Sequence, residues 1–254
     1  MNKTENLSLT SPQQIIFDQG RHYRAKLGFV LLAMEQTIEE DVFRLAPPGV
    51  GVHFTRVQMP NEVTVKTLKA TADRLAGAAA LLLPDGDLDV VCYGCTSASL
   101  VIGEERVKRE LSKGAPDAHA TTLITGVVNA LRTLKARRIV VATPYLDEIN
   151  TLEDRYLKEQ GFDVLAIQGL NIEKDADMVR VTPDYIKAFA KSLDVPNAEA
   201  IFISCGALRS LDIVEALEQE TGKPVVSSNQ AMIWETLRLA GVTDKIDGYG
   251  QLFR

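Results

Sequence analysis

DVVCYGCTSAS at 89–99 and EAIFISCGALRS at 199–210 are the two stretches that decide the fold. Each is a short apolar run of strand length, then a cysteine, then small residues. Working backwards from each, the chain alternates strand-like and helix-like segments in the same order. Leu27 lies 68 residues before Cys95, and Arg138 lies 67 before Cys205. A repeat on this scale is read before any local motif. It predicts two similar α/β lobes related by a pseudo-two-fold, each offering one thiol at the carboxyl end of a parallel strand, where open α/β sheets bind ligands. Two such lobes facing each other put Cys95 and Cys205 across one cleft.

The surrounding segments agree. Strands are expected over 27–32, 50–58, 88–93, 138–142, 162–168, 199–204 and 224–227. Helices are expected over 36–46, 62–83, 97–112, 145–160, 183–193, 207–221 and 230–240. Pro47, Pro48 and Gly49 stop the first helix, and Pro183 opens a later one. This alternation implies Rossmann-like parallel sheets flanked by helices. The expected division is 1–120 plus 228–254 for the first lobe and 121–227 for the second. The first ~22 residues are expected to form a loose arm.

Composition narrows the function. The 254 residues are 46% apolar and carry 28 basic against 34 acidic groups, net −6. Phosphate binding needs clustered Lys and Arg, so a nucleic-acid partner is not expected. No apolar run approaches the ~18 residues of a membrane span, and Met1 to Arg24 is too polar for a signal peptide. A cytoplasmic location with reduced thiols follows as an expectation. His22, His53 and His119 have no His or Cys within four residues, so no metal site is expected.

Two of the three cysteines stand out. On its strand Cys92 faces opposite to Cys95 and reads as core. Cys95 and Cys205 each end a strand and precede Thr96-Ser97-Ala98 or Gly206-Ala207. Small residues let a ligand approach the backbone. The next helix would aim its N–H groups at the same point, holding a carboxylate and lowering the thiol pKa from ~8.5. Two opposed thiols suit removal of a proton from one face of a carbon and its return to the other. They also suit thiolate addition to a double bond, rotation and elimination.

YGCTSAS (93–99), ATPYLDEIN (142–150), SCGALRSLD (204–212) and GKPVVSSNQAMIW (222–234) resemble the Asp/Glu racemase superfamily. Within it they are most similar to the maleate cis–trans isomerase branch, with arylmalonate decarboxylase and an ectoine-utilisation branch nearby. The resemblance implies a cofactor-free, metal-free isomerase with its site between the lobes, in a chain expected to form a homo-oligomer. It implies Cys95 and Cys205 as the catalytic pair. It further implies Thr96, Ser97 and the Gly206 N–H as carboxylate donors, and Tyr145 as a hydroxyl donor. The decarboxylase branch typically keeps only the second Cys, so two thiols disfavour simple decarboxylation. A small-carboxylate-binding protein without catalysis is the other alternative.

One departure bears on substrate. Maleate isomerases carry an Asn before the first helix, and LAMEQTIEED (32–41) places Glu35 there. A second family Asn falls in GLNIEKDAD (169–177), matched by Asn171 or Asp175. An ionised Glu cannot donate. Facing a second substrate carboxylate, Glu35 repels; facing an ammonium, it attracts, which favours an amino-acid-like substrate. Alternatively Glu35 is a solvated first-turn acid placed by the helix dipole. Asn229 is read as a cleft residue or a helix N-cap, Trp234 as core, Arg209 as an anion binder or surface ion pair, and Glu104 to Glu110 as a solvated helix face.

Overall fold

A computed structural model describes residues 15–84 and 86–254. Most of the expected N-terminal arm lies outside the described residues; 15–20 are exposed. The first unit contains β1 (Ala25–Leu32), α1 (Ile38–Leu45), β2 (Val50–Val57), α2 (Val65–Lys69), α3 (Leu75–Ala79), β3 (Val90–Tyr93), α4 (Thr96–Ile102), α5 (Glu104–Gly114) and β4 (His119–Thr122). After α6 (Leu123–Thr133) the second follows: β5 (Arg138–Thr143), α7 (Asp147–Glu159), β6 (Asp163–Gly169), α8 (Asp175–Met178), α9 (Pro183–Ser192), β7 (Ala200–Ile203), α10 (Val214–Thr221), β8 (Val225–Ser227) and α11 (Ser228–Leu239).

The repeat is realised strand for strand. One parallel sheet has the order β2-β1-β3-β4 and the other β6-β5-β7-β8. All six ladders are parallel, so all strand carboxyl ends of a sheet open on one side. β1, β3, β5 and β7 are buried on both faces, as their unbroken apolar runs require.

Helices α6 and α11 each follow the last strand of their sheet and pack on one another between the lobes. Thr122 caps α6 by accepting the Thr125 N–H, and at the start of α11 the Gln230 side chain accepts the Ser227 N–H at 3.1 Å. A Cβ added at Gly126 would lie 2.8 Å from the Ala231 carbonyl oxygen, so glycine is what lets α6 and α11 approach. One apolar cluster runs from Phe29 and Cys92 through Val127 and Leu131 to Ile139, Phe202 and Met232, joining both sheets.

Three expectations are corrected. The helix expected over 62–83 is broken into α2, a 3-10 turn and α3. That over 97–112 divides at Gly103, whose φ of +89° an L side chain rarely adopts. That over 207–221 is a regular helix only from Val214. The expected lobe boundary between 120 and 121 lies within β4, which pairs with β3 over His119–Thr122. No element is expected over 113–137, where the structure has β4 and α6: β4 is short and polar, and α6 carries a buried apolar face with Arg132 and Thr133 exposed at its end.

Candidate active site

Cys95 follows β3 and caps α4 with its sulfur, which accepts the Ala98 N–H at 3.4 Å. The Ser97 hydroxyl lies 3.7 Å from the same sulfur. Cys205 follows β7. Its φ is +105°, in the left-handed region that non-glycine residues avoid. That turn aims its N–H at the Ser228 hydroxyl (2.9 Å), and its sulfur lies 4.0 Å from Met178 Sδ. The Tyr145 hydroxyl and the Ala207 N–H favour its ionised form. Each sulfur therefore has one backbone N–H and one hydroxyl beside it; the hydroxyl at Cys95 comes from its own helix, and that at Cys205 from Tyr145 after β5.

Both cysteines line one cavity between the lobes, with Glu35, Gly94, Thr96, Ser97, Tyr145, Asp175 and Gly206. The free space is about 20 Å³, on the scale of a single water. Two glycines make this close approach possible. A Cβ at Gly94 would lie 2.6 Å from Leu31 Cδ2, and one at Gly206 would lie 2.9 Å from Ile38 Cδ1. The roof is a contact between loops: the Val63 N–H donates to the Glu173 carbonyl (3.1 Å) and the Asp175 N–H to that of Asn61 (3.3 Å).

The expected lowering of the thiol pKa is overturned. Burial pushes Cys95 up to about 12 despite the Ala98 N–H and the Ser97 hydroxyl. Burial also pushes Cys205 well above its ordinary value, and the Asp175 charge adds to the effect. Loss of water outweighs one helix N-terminus. Both groups rest as neutral thiols.

Glu35 is buried, not solvated. Its Oε1 accepts the N–H groups of Gln36 (2.9 Å), Thr37 (2.6 Å) and Ile38 (3.0 Å), so it caps α1 with its own carboxylate. Burial raises its pKa against those three bonds. Burial likewise raises Asp175 to about 7, with Glu35 reinforcing it. Asn171 is not part of this cavity. It is exposed, adopts φ +57°, and lines a separate surface hollow with Asp147 and Asn150.

Other residues differ from expectation. Arg209 donates to the Val181 carbonyl (3.1 Å) and forms no ion pair among the described residues. Asn229 lies inside α11 and donates to Asp41 (2.7 Å) and to the Gly206 carbonyl (2.9 Å). Glu104 is not simply a solvated acid: it joins Thr125 on α6 to Tyr156 on α7. Trp234 and Cys92 are buried, in keeping with core positions.

Sequence reasoning missed three supports. Ser228, within GKPVVSSNQAMIW, accepts the Cys205 N–H at 2.9 Å and lies 3.1 Å from Thr96 Oγ1. The Thr37 hydroxyl donates to the Ala207 carbonyl (3.1 Å), tying α1 to the Cys205 loop. Glu153 accepts the Ser204 hydroxyl at 2.6 Å from 51 residues away, a separation that leaves no local signal.

The arylmalonate decarboxylase family profile matches residues 54–253. The chain belongs to the arylmalonate decarboxylase family. The arylmalonate decarboxylase of Bordetella bronchiseptica is 37% identical over 139 residues. That match covers 52% of this chain and only 57% of that relative. The maleate isomerase of Nocardia farcinica is 28% identical over 241 residues, covering 90% of this chain and 95% of that protein. A cysteine-to-serine variant of the Nocardia farcinica maleate cis–trans isomerase is solved with a covalently bound succinylcysteine intermediate. This chain shares its fold at a TM-score of 0.84 and 24% identity, over 91% of this chain and 98% of that one. The arylmalonate decarboxylase family thus includes relatives of both names along this chain's length.

Proposed function

We propose that the chain is a cofactor-independent cysteine isomerase acting on a small carboxylate, with Cys95 and Cys205 as its two acid–base or nucleophilic groups. The observation that carries this reading is that both sulfurs line one enclosed space between the lobes. The full-length likeness to maleate isomerases supports the isomerase class. On this reading the substrate carboxylate sits against Thr96, Ser97 and the Gly206 N–H, with the Tyr145 hydroxyl beside it.

Two balanced routes use these groups. In the first, one sulfur as thiolate takes a proton from carbon; the C–H bond breaks, an S–H bond forms, and the electron pair passes into the carboxylate. The opposite S–H then gives its proton to the other face, which inverts the centre. In the second, the thiolate adds to a carbon–carbon double bond and the other thiol supplies the proton. Rotation and elimination then return the opposite geometric isomer. The finer reading is an amino-acid-like substrate processed by the first route. Arylmalonate-type decarboxylation is the second reading, favoured by the 37% identical segment.

Incubation of the protein with maleate, aspartate and phenylmalonate in heavy water, followed by NMR, separates these outcomes. Deuterium at the α-carbon of intact aspartate, or fumarate formed from maleate, marks the isomerase; carbon dioxide release with α-deuterated phenylacetate marks the decarboxylase. Cys95→Ala and Cys205→Ala should each lower isomerisation by roughly 10²- to 10⁴-fold with the fold intact. Undiminished turnover in either variant would sink the two-thiol reading.

A further inference from the structure

The cavity is charged unevenly. At the two cysteine loops its lining supplies donors, from Thr96, Ser97 and the backbone of 206–207. Glu35 and Asp175, each over nine-tenths buried, line the same cavity close enough for their charge to act on both thiols, and among the described residues no Lys, Arg or His lines it. Glu35 spends its Oε1 on the N–H groups of Gln36, Thr37 and Ile38 in the turn that leads into α1, so those three are closed to a substrate anion. Asp175 Oδ2 is buried without any hydrogen-bond partner. A buried acceptor left bare is costly unless a ligand supplies the donor. Among the described residues no three His, Cys, Asp or Glu side chains group as a metal site does.

We propose that Glu35 and Asp175 form a subsite for a protonated amine, so that the substrate is an amino acid whose carboxylate lies against the donors of the cysteine loops and whose ammonium lies against Asp175. This deepens the isomerase reading and rests on it for the word substrate; the subsite itself does not need turnover. A dicarboxylate fits poorly, because its second carboxylate meets two acidic side chains with no counter-charge. An ammonium brings both charge and N–H donors to Oδ2. Asp175 sits on the roof that closes against 61–63, so binding the amine also joins the roof to the ligand.

The test uses the full chain and three probes of similar size: succinate, β-alanine and 2,3-diaminopropionate, with affinity read by calorimetry at pH 8. The wild type should bind the two amines roughly tenfold or more tightly than succinate. Asp175→Asn should erase that preference, and Glu35→Gln should weaken it. Circular dichroism checks that the variants fold, and the wild-type ranking stands without them. Equal or tighter binding of succinate by the wild type overturns the subsite, as does an unchanged preference in a folded Asp175→Asn. Failure of the isomerase reading looks different. Amines would then be preferred, yet no deuterium would enter them in heavy water.

Discussion

The Cys205 backbone N–H donates to the Ser228 hydroxyl at 2.9 Å, across the join between β7 and the start of α11. The same oxygen lies 3.1 Å from Thr96 Oγ1, next to Cys95. One fully buried hydroxyl therefore ties together the two loops that carry the thiols.

Removing it leaves a buried N–H and a buried hydroxyl without a partner. Each such loss costs about 1–3 kcal/mol. Ser228→Ala should lower the melting temperature and reduce kcat by roughly tenfold or more through misplacement of the sulfurs. Thermal unfolding and steady-state kinetics on the substrate found by the heavy-water screen check this. A variant with wild-type kcat would mean that the bridge does not position the cysteines.

Cys205 holds φ +105°, a conformation that costs a side-chain-bearing residue about 1–3 kcal/mol. Glycine carries no such cost. Cys205→Gly should therefore match or exceed Cys205→Ala in melting temperature, reversing the usual order in which glycine is the weaker residue. Both variants should be inactive. If alanine is clearly the more stable of the pair, the strain reading is wrong.

The resting thiols predict the pH profile. With Cys95 at about 12 and Cys205 also raised, only a small fraction of either is ionised at neutral pH. That fraction rises about tenfold per pH unit well below the pKa. Log kcat/KM should climb with pH through 8 and 9 without a plateau from these groups. A plateau reached below pH 8 would show that a thiolate already exists in the free protein.

Buried acids predict a stability slope of the opposite sign to the common one. Burial raises Glu153 from 4.5 and Asp41 from 3.8, each to about 7. Between those ordinary values and 7, the folded chain holds more protons than the unfolded chain. Stability is thus full below pH ~4, falls as pH rises towards 7, and levels off above it. For the fully buried Glu153 the shift corresponds to roughly 3 kcal/mol. Glu153→Gln should flatten the slope of melting temperature between pH 5 and 7.5. An equally steep slope in that variant would remove Glu153 from the account.

Much of the architecture was legible because it is written in short-range pattern. Apolar runs such as LGFVLL and EAIFIS can only be buried parallel strands, and Gly161 and Pro183 bound their helices as chain chemistry requires. The elements misread are those whose signal depends on distant neighbours. The stretch after Cys205 turned away from helix because the loop is held by Ser228, Thr37 and Asn229. At the site, Glu35 was singled out by its position, yet its capping of α1 depends on where its carboxylate turns. Asn171 and Asp175 were equivalent in sequence and separate only in space.

The order of residues by itself determined two repeated α/β units, each ending a strand in a thiol. Periodicity and spacing are properties of the chain alone, so they survive without coordinates. Folding decided the rest: that the two sulfurs share a space of about 20 Å³, that burial keeps them uncharged, and that Glu35 and Asp175 line the same space. Charge and accessibility depend on what every other segment packs around a group, and desolvation sums over all of those neighbours at once.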